Sequence, residues 1–322
     1  MKRIAVVMGG YSSESEISLK SGRVVLQNLH QSNYETYGVV IEKNQWKVVL
    51  NNQSFPIDKR DFSFTINGQK MTFDGAFIAV HGIPGENGEL QRYFDDLSIP
   101  YTSSSEKASK ISFDKGDCNK LLKEHGVNCA VSQKIHLDDA IDIHDLVKKI
   151  GLPCFVKPNS YGSSYGISKV YKKSELTDAI NKAFVFDNYI LVESYLEGTE
   201  VSCGIYNFDF DIKTLPITEI VSDNDFFDYA AKYEGKSSEI TPARISKKQA
   251  SEVSSVSKQV YEILNLNGLA RVDFIICDNI PYVLEVNTVP GLSKESIIPQ
   301  QAKEAGISLK TLFSMAVRQL FD

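Results

Sequence analysis

The chain has 322 residues, enough for two or three domains and a substantial core. Its 42% apolar and 24% charged residues are ordinary for a soluble globular protein, and a net charge of −6 excludes a basic face built for nucleic acid or anionic membrane. The five cysteines, Cys118, Cys129, Cys154, Cys203 and Cys277, are dispersed without a C-x-x-C pair, which reads as reduced core thiols rather than a disulfide frame or zinc site. No stretch approaches the roughly 20 apolar residues of a membrane span. The opening MKRIAVVMGG is basic and then apolar, but its apolar run is too short for a secretory signal and reads as a first strand. The expectation is a cytoplasmic, enzyme-sized protein.

Residues 3–8 predict a buried strand ending at Gly9-Gly10, and SSESEISLKSGRVVLQNL follows with helical spacing. Ser13 and Glu16 have the spacing of a capping box. Strand, glycine turn and helix N-terminus form a generic anion cradle, though the dinucleotide fingerprint is absent. Glu14 is out of place in an anion site. It either favours the helix dipole or meets a ligand's ammonium group. Residues 36–41 and 46–50 predict strands, and 51–70 read only as turns. Residues 73–80 predict a buried strand that ends in the glycine-rich HGIPGENG, placed where open α/β sheets bind ligands. His81 opens that loop, although a lone histidine is usually structural. A helix over 90–97 and a short strand over 99–101 complete an α/β domain.

Ser, Lys and Glu over 103–109 read as a linker. A helix over 112–125 follows, with Ser112 as its cap and Lys115 in its first turn. A strand over 127–137 and a helix over 141–150 lead to PCFVKPNSYGSSYGISKV, two strands around a loop of small hydroxyl residues. Such a loop either folds its amides over phosphates, with Lys157 neutralising their charge, or is a plain surface hairpin. A helix over 176–184 and strands over 189–193, 201–206 and 214–221 follow. The polar stretch 222–242, which carries Lys232 and Tyr233, reads as a lid or binding loop, or as a disordered excursion. Residues 247–264 predict an amphipathic helix, and 309–320 a terminal one.

Between these helices, two apolar runs, residues 272–276 and 282–286, flank the turn formers Asp278-Asn279 and predict a β-hairpin. If the hairpin centres on Asn279, Asp273 lies opposite Glu285 and Arg271 opposite Asn287. Four polar groups then share one face. Their oxygens suit magnesium completed by substrate phosphates, and the same pattern also fits a solvated salt-bridge patch.

Seven segments in order, GGYSSESEISLKSG, HGIPGENGELQ, IPYTSSS, SFDK, VKPNSYGSSYGISKV, DYAAKY, and RVDF with EVNTVPGLSKESIIP, resemble the ATP-grasp ligases and, within them, the D-alanine–D-alanine ligase family. The resemblance runs nearly end to end. It implies an α/β (α+β) chain: an ATP-grasp fold preceded by a Rossmann-like α/β domain. The implied divisions are residues 1–105 for a substrate-binding domain, 106–194 for the central ATP-grasp subdomain, and 195–322 for the C-terminal domain with its lid at 222–242.

The same resemblance implies that Lys115, Lys157 and Ser164 meet ATP phosphates, while Glu193, the Leu196 backbone and Glu200 hold adenine and ribose. Asp273, Glu285 and Asn287 would bind two magnesium (or manganese) ions. Glu14 would hold the first D-alanine's ammonium with His81 nearby, and Glu14, Ser163 and Tyr233 would seal the lid. Arg271 and the Gly291 amide would form an oxyanion hole. Ser296 and the Ile297 amide would take the second D-alanine's carboxylate. Lys232-Tyr233 points to an amine nucleophile, and so to a dipeptide product for the cell wall. A homodimer is implied, with no nucleic acid or membrane as partner. Three departures stand out: Asn87 and Arg92 replace the acid and last glycine of the second motif, Tyr161 stands where the phosphate loop often carries Glu, and Ile297 replaces Leu. The rival readings are an ATP-grasp ligase for other D-amino or hydroxy acids and a nucleotide-binding regulator without turnover.

Overall fold

A computed structural model describes residues 1–29, 34–162, 165–208, 211–222 and 237–322. Strand β1 (Lys2–Gly9) is buried from Ile4 onward and passes through Gly9-Gly10 to helix α1 (Ser15–Leu29). The hydroxyl at the head of this helix is Ser12 Oγ, which accepts the Glu14 amide at 3.3 Å, one residue earlier than the expected capping box. The chain returns in β2 (Tyr34–Ile41), parallel to β1, as a βαβ crossover requires. Strands β3 (Trp46–Leu50), β4 (Gln53–Asp58), β5 (Ser63–Ile66) and β6 (Gln69–Met71) continue as an antiparallel meander. Three of these occupy the stretch that reads only as turns. Left-handed residues at Asn51, Asn52, Phe62 and Asn67 leave strands too short to display a period. Strand β7 (Gly75–Ile78) pairs parallel to β1 on its other side, giving the order β6-β5-β4-β3-β2-β1-β7.

Helix α2 (Glu89–Asp96) follows the glycine-rich loop. The single helix expected over 112–125 is two, α3 (Glu106–Phe113) and α4 (Lys115–Glu124). Asp114 separates them: its backbone is extended and its carboxylate accepts the Asp117 amide at 2.9 Å. Ser112 is not a cap but sits inside α3, bonded to the Ala108 carbonyl, while Ser105 caps that helix. The expected linker is therefore the start of α3. Lys115 does open α4.

A second sheet has the order β10-β9-β11-β8, antiparallel throughout. It comprises β8 (Ser132–His136), β9 (Cys154–Pro158), β10 (Ser168–Val170) and β11 (Tyr189–Ser194), with α5 (Ile143–Ile150) and α6 (Leu176–Phe184) in its connections. A third sheet has the order β15-β14-β12-β16-β17, with β13 beside β12. Its strands are β12 (Thr199–Tyr206), β13 (Lys213–Thr214), β14 (Thr218–Ser222), β15 (Ser237–Ile240), β16 (Ala270–Cys277) and β17 (Ile280–Asn287). Helix α7 (Lys247–Ile263) precedes β16, while α8 (Ile297–Glu304) and α9 (Leu309–Arg318) follow β17. Most of the expected lid, residues 223–236, lies outside the described residues.

The hairpin β16–β17 sets the register of the third sheet. Asp278 and Asn279 both adopt positive φ, 49° and 68°, as a two-residue type I′ turn requires. Near the turn the pairs are Cys277–Ile280 and Phe274–Val283. Beyond a bulge at Leu284 they become Asp273–Glu285 and Arg271–Asn287. The expected register therefore holds at the polar face, reached by a tighter turn and one inserted residue.

One apolar cluster joins the ends of the chain: Ile4, Val25 and Phe77 pack with Leu292, Ile298 and Phe313. Replacing Asn279 by Val forces a β-branched residue into left-handed backbone and should destabilise the protein by about 1–2 kcal/mol. Asn279→Gly should change stability by less than about 0.5 kcal/mol, both read from urea unfolding midpoints.

Candidate active site

A cavity of about 830 Å³ is bounded by the loops that leave β1 and β7 and by the facing surfaces of the second and third sheets. A binding site of this size is ordinary for a nucleotide or drug-sized ligand. Arg271, Asp273, Glu285 and Asn287 all line it. Arg271 grips Asp273 with two bonds, Nε to Oδ1 at 2.9 Å and Nη2 to Oδ2 at 2.7 Å. Ser202 donates to Asp273 Oδ1 at 2.5 Å, and Asn287 Nδ2 to Oδ2 at 3.0 Å. Burial pushes the Arg271 pKa down, but the adjacent Asp273 carboxylate outweighs it and the guanidinium is held charged.

Two carboxylates and an amide carbonyl on one face are hard oxygen donors, a set that fits magnesium. The Asn287 amide that donates to Asp273 carries an oxygen on its other side. Among the described residues, no three His, Cys, Asp or Glu side chains gather to hold a metal. A divalent ion here depends on Asn287 and on substrate oxygens as well.

Lys115, Lys157, Glu193, Leu196 and Glu200 line another part of the cavity. Lys157 Nζ lies 2.5 Å from Glu193 Oε1, and only 6% and 5% of the two side chains are exposed. Lys115 Nζ donates to the Tyr161 carbonyl at 2.9 Å, tying α4 to the serine-rich loop. The Tyr161 ring packs edge-on against Phe186, with centroids 5.5 Å apart. Ser163 and Ser164 of that loop, and Lys232 and Tyr233 of the lid, lie outside the described residues.

Glu14 and His81 stand at the ends of β1 and β7, facing the cavity. The Glu14 carboxylate lies so close to Gly82 and Gly162 that a Cβ on either would collide with it. That contact brings the serine-rich loop onto Glu14. Both His81 ring nitrogens are engaged by the protein, Nδ1 with the Val289 carbonyl and Nε2 with Ser21 Oγ, each at 2.8 Å. Burial holds its pKa below the usual histidine value.

Gly291, Ser296 and Ile297 complete the lining. Ser296 and Ile297 begin α8, a helix the sequence reading did not anticipate, since it is short and contains Pro299. Ser296 makes no side-chain capping bond, and its hydroxyl lies 2.9 Å from Ser293 Oγ. The first-turn amides of α8 thus receive no cap from the Ser296 side chain. A Cβ on Gly291 would stand 2.8 Å from Ser296 Oγ, so a larger residue there would have to displace the Ser296 hydroxyl.

Neither Asn87 nor Arg92 disturbs the start of α2. Asn87 Oδ1 accepts the Glu89 amide at 3.2 Å, as an aspartate would. Arg92 lies inside α2, where no positive φ is required. Two cavity acids were not singled out from sequence. Glu86 accepts the Gly82 amide at 2.7 Å, and desolvation with the nearby Glu14 charge pushes its carboxyl up to about 8. Its signal was a carboxylate inside the glycine-rich motif. Glu239 accepts from Gln300 at 2.5 Å, and burial raises its pKa. It sits in a stretch without apolar period and gave no signal.

Family models described as D-ala D-ala ligase N-terminus and D-ala D-ala ligase C-terminus match residues 3–104 and 121–318. The D-alanine–D-alanine ligase of Flavobacterium johnsoniae is 54% identical, with 98% of each chain covered. That of Flavobacterium psychrophilum is 49% identical, covering 95% of this chain and 93% of its own. Among solved structures, the VanG D-Ala:D-Ser ligase of Enterococcus faecalis superposes with a TM-score of 0.89 at 27% identity, covering 99% of both chains. The D-alanine–D-alanine ligase of Bacillus anthracis complexed with ATP does so with a TM-score of 0.81 at 30% identity, covering 99% of this chain and 97% of its own. The shared motifs, the three-sheet fold and these full-length likenesses agree: this chain belongs to the D-alanine–D-alanine ligase family.

Proposed function

We infer that the protein joins two D-alanine molecules into D-alanyl-D-alanine, converts ATP to ADP and phosphate, and so supplies a peptidoglycan precursor. One observation carries this reading. A carboxylate suited to an ammonium (Glu14), a hard-oxygen metal face with a charged arginine (Arg271, Asp273, Glu285, Asn287), and a helix N-terminus suited to a carboxylate (Ser296, Ile297) line a single cavity.

The first D-alanine is held at its ammonium by Glu14, beside His81. Its carboxylate attacks the γ-phosphorus of ATP; the new C–O–P linkage forms as the bond to ADP breaks. Both partners are anions, so Lys115 and Lys157 lower their repulsion, with Ser164 over the phosphates and Glu193, Leu196 and Glu200 on the nucleoside. Asp273, Glu285 and Asn287 would hold magnesium ions, which when bound would supply further charge neutralisation. The amine of the second D-alanine, its carboxylate on Ser296 and Ile297, then attacks the acyl carbon. The carbonyl electron pair moves onto oxygen, where Arg271 and the Gly291 amide receive it. Collapse restores the carbonyl and expels phosphate. Tyr233, with Glu14 and Ser163, closes the lid and excludes water from the acyl phosphate, and Lys232 serves the second substrate.

We propose working units at residues 1–105, 106–194 and 195–322; the three sheets fall within these ranges. Among the described residues, no helix is long and apolar enough to cross a membrane. A cytoplasmic homodimer acting on D-alanine and ATP, without nucleic acid or membrane as partner, is the setting proposed, and sedimentation velocity tests the dimer.

Purified protein with ATP, magnesium and D-alanine should release ADP and phosphate, with L-alanine inert and chelation of the metal stopping turnover. Parallel reactions with D-serine and D-lactate as second substrate test the amine preference, and a folded protein silent toward D-alanine refutes the assignment. Glu285→Ala should abolish turnover with the circular dichroism spectrum unchanged; activity like the wild type's would remove its metal role. Lys157→Met leaves Glu193 buried without its cation and should cost about 3–5 kcal/mol of stability. The double variant Lys157→Met/Glu193→Met should recover most of that loss, as measured by denaturant unfolding, while remaining inactive.

A further inference from the structure

The loop carrying Gly291 belongs to the C-terminal part of the chain, yet its backbone is gripped by side chains from the N-terminal part. His81 Nδ1 lies 2.8 Å from the Val289 carbonyl oxygen. A carbonyl only accepts, so Nδ1 carries the ring proton. Burial keeps the ring neutral, so Nε2 is a lone-pair acceptor. The Ser21 hydroxyl, 2.8 Å away, therefore donates to it. With that proton committed, Ser21 Oγ accepts the Leu292 amide at 3.1 Å. Glu86 adds a longer contact, accepting the Val289 amide at 3.4 Å. Val289 is thus held at both its carbonyl and its amide, Leu292 at its amide, and Gly291 lies between them.

Ser21 is fully buried on α1 and does not line the cavity. It touches no substrate in this arrangement. Yet, among the described residues, it is the one side chain that bonds both to His81 and to the residue after Gly291. We propose that Ser21 is a positioning residue for peptide-bond formation: through His81 and Leu292 it fixes the Gly291 amide where the oxyanion of the second half-reaction develops. The proposal rests on the ligase reading, in which Gly291 is an oxyanion donor. Removing one such donor outright costs about 100- to 1,000-fold in rate, and displacing it costs less. His81 acts in the same way, as the orienting neighbour of Ser21.

The test uses the full chain with ATP, magnesium and D-alanine, and measures ADP and dipeptide separately. Ser21→Ala should lower kcat for dipeptide by about 10- to 100-fold while KM for ATP stays within about twofold. Dipeptide formed per ADP should fall below one, because D-alanyl phosphate that waits for its nucleophile is hydrolysed. Ser21→Cys, a small side chain with a weak donor and acceptor, should recover part of both. A wild-type kcat and stoichiometric dipeptide in Ser21→Ala overturn the proposal. So does a loss confined to KM. Failure of both variants to fold would assign Ser21 to folding alone and equally overturn it. A wild-type protein that releases no ADP with D-alanine is a separate result, which removes the ligase reading itself.

Discussion

Side chains alternate across a strand, so the inserted residue at Leu284 determines which groups of β17 face the cavity. The tight turn at Asp278-Asn279 alone would carry the pairing of Cys277 with Ile280 along the whole hairpin. Asp273 would then oppose Leu284, and Arg271 would oppose Val286. The bulge shifts the phase by one, and Glu285 and Asn287 join Asp273 and Arg271 on a single surface. The rest of the site depends on that coincidence. A metal needs several oxygens within one coordination sphere, and no repacking of side chains corrects a strand turned to its wrong face.

That surface is also an electrostatic compromise. Asp273 is buried, and a buried carboxylate without partners is strongly disfavoured. Arg271, Ser202 and Asn287 all donate to it, which supplies those partners. Arg271 gains from the same contact, because the Asp273 carboxylate offsets the burial that would otherwise disfavour its charge. Glu86 answers the same low-dielectric surroundings in the opposite way. Burial, reinforced by the charge of its neighbour Glu14, holds its proton up to about 8. One cavity therefore gives one buried acid a set of donors and another a like charge, according to which partner each meets.

Much of this was legible in the sequence, for identifiable reasons. The hairpin showed itself through β-branched and aromatic runs around Asp-Asn, and the ends of β1 and β7 through their glycines. The break at Asp114 was hidden because an aspartate fits a helical surface as readily as it caps one. Strands β4 to β6 were too short to carry a period, and Pro299 disguised the start of α8. The bulge at Leu284 was invisible, since an apolar residue there looks like its neighbours. Glu239 and the bonds of Ser21 arise from contacts between distant segments, which no local pattern encodes. Ser18 and Ser21 did leave one trace, as hydroxyls on the buried stripe of an amphipathic helix.

The grip on residues 289–292 is better understood as geometry than as stability. Three or four hydrogen bonds contribute about 1 kcal/mol each at most, whereas the apolar cluster joining Ile4, Val25, Leu292, Ile298 and Phe313 buries several large side chains at about 1.5–3 kcal/mol apiece. Packing brings the two ends of the chain together, but dispersion contacts are non-directional and tolerate small slips. Hydrogen bonds at both ends of a four-residue loop do not. In the proposed reaction, Glu14 on the segment after β1 positions the acyl carbon made in the first half-reaction. The amide proposed to receive its oxygen in the second, that of Gly291, comes from the segment after β17. Those segments must agree to a fraction of an ångström without any covalent link near the site, and Ser21, His81 and Glu86 are the directional contacts that impose that agreement.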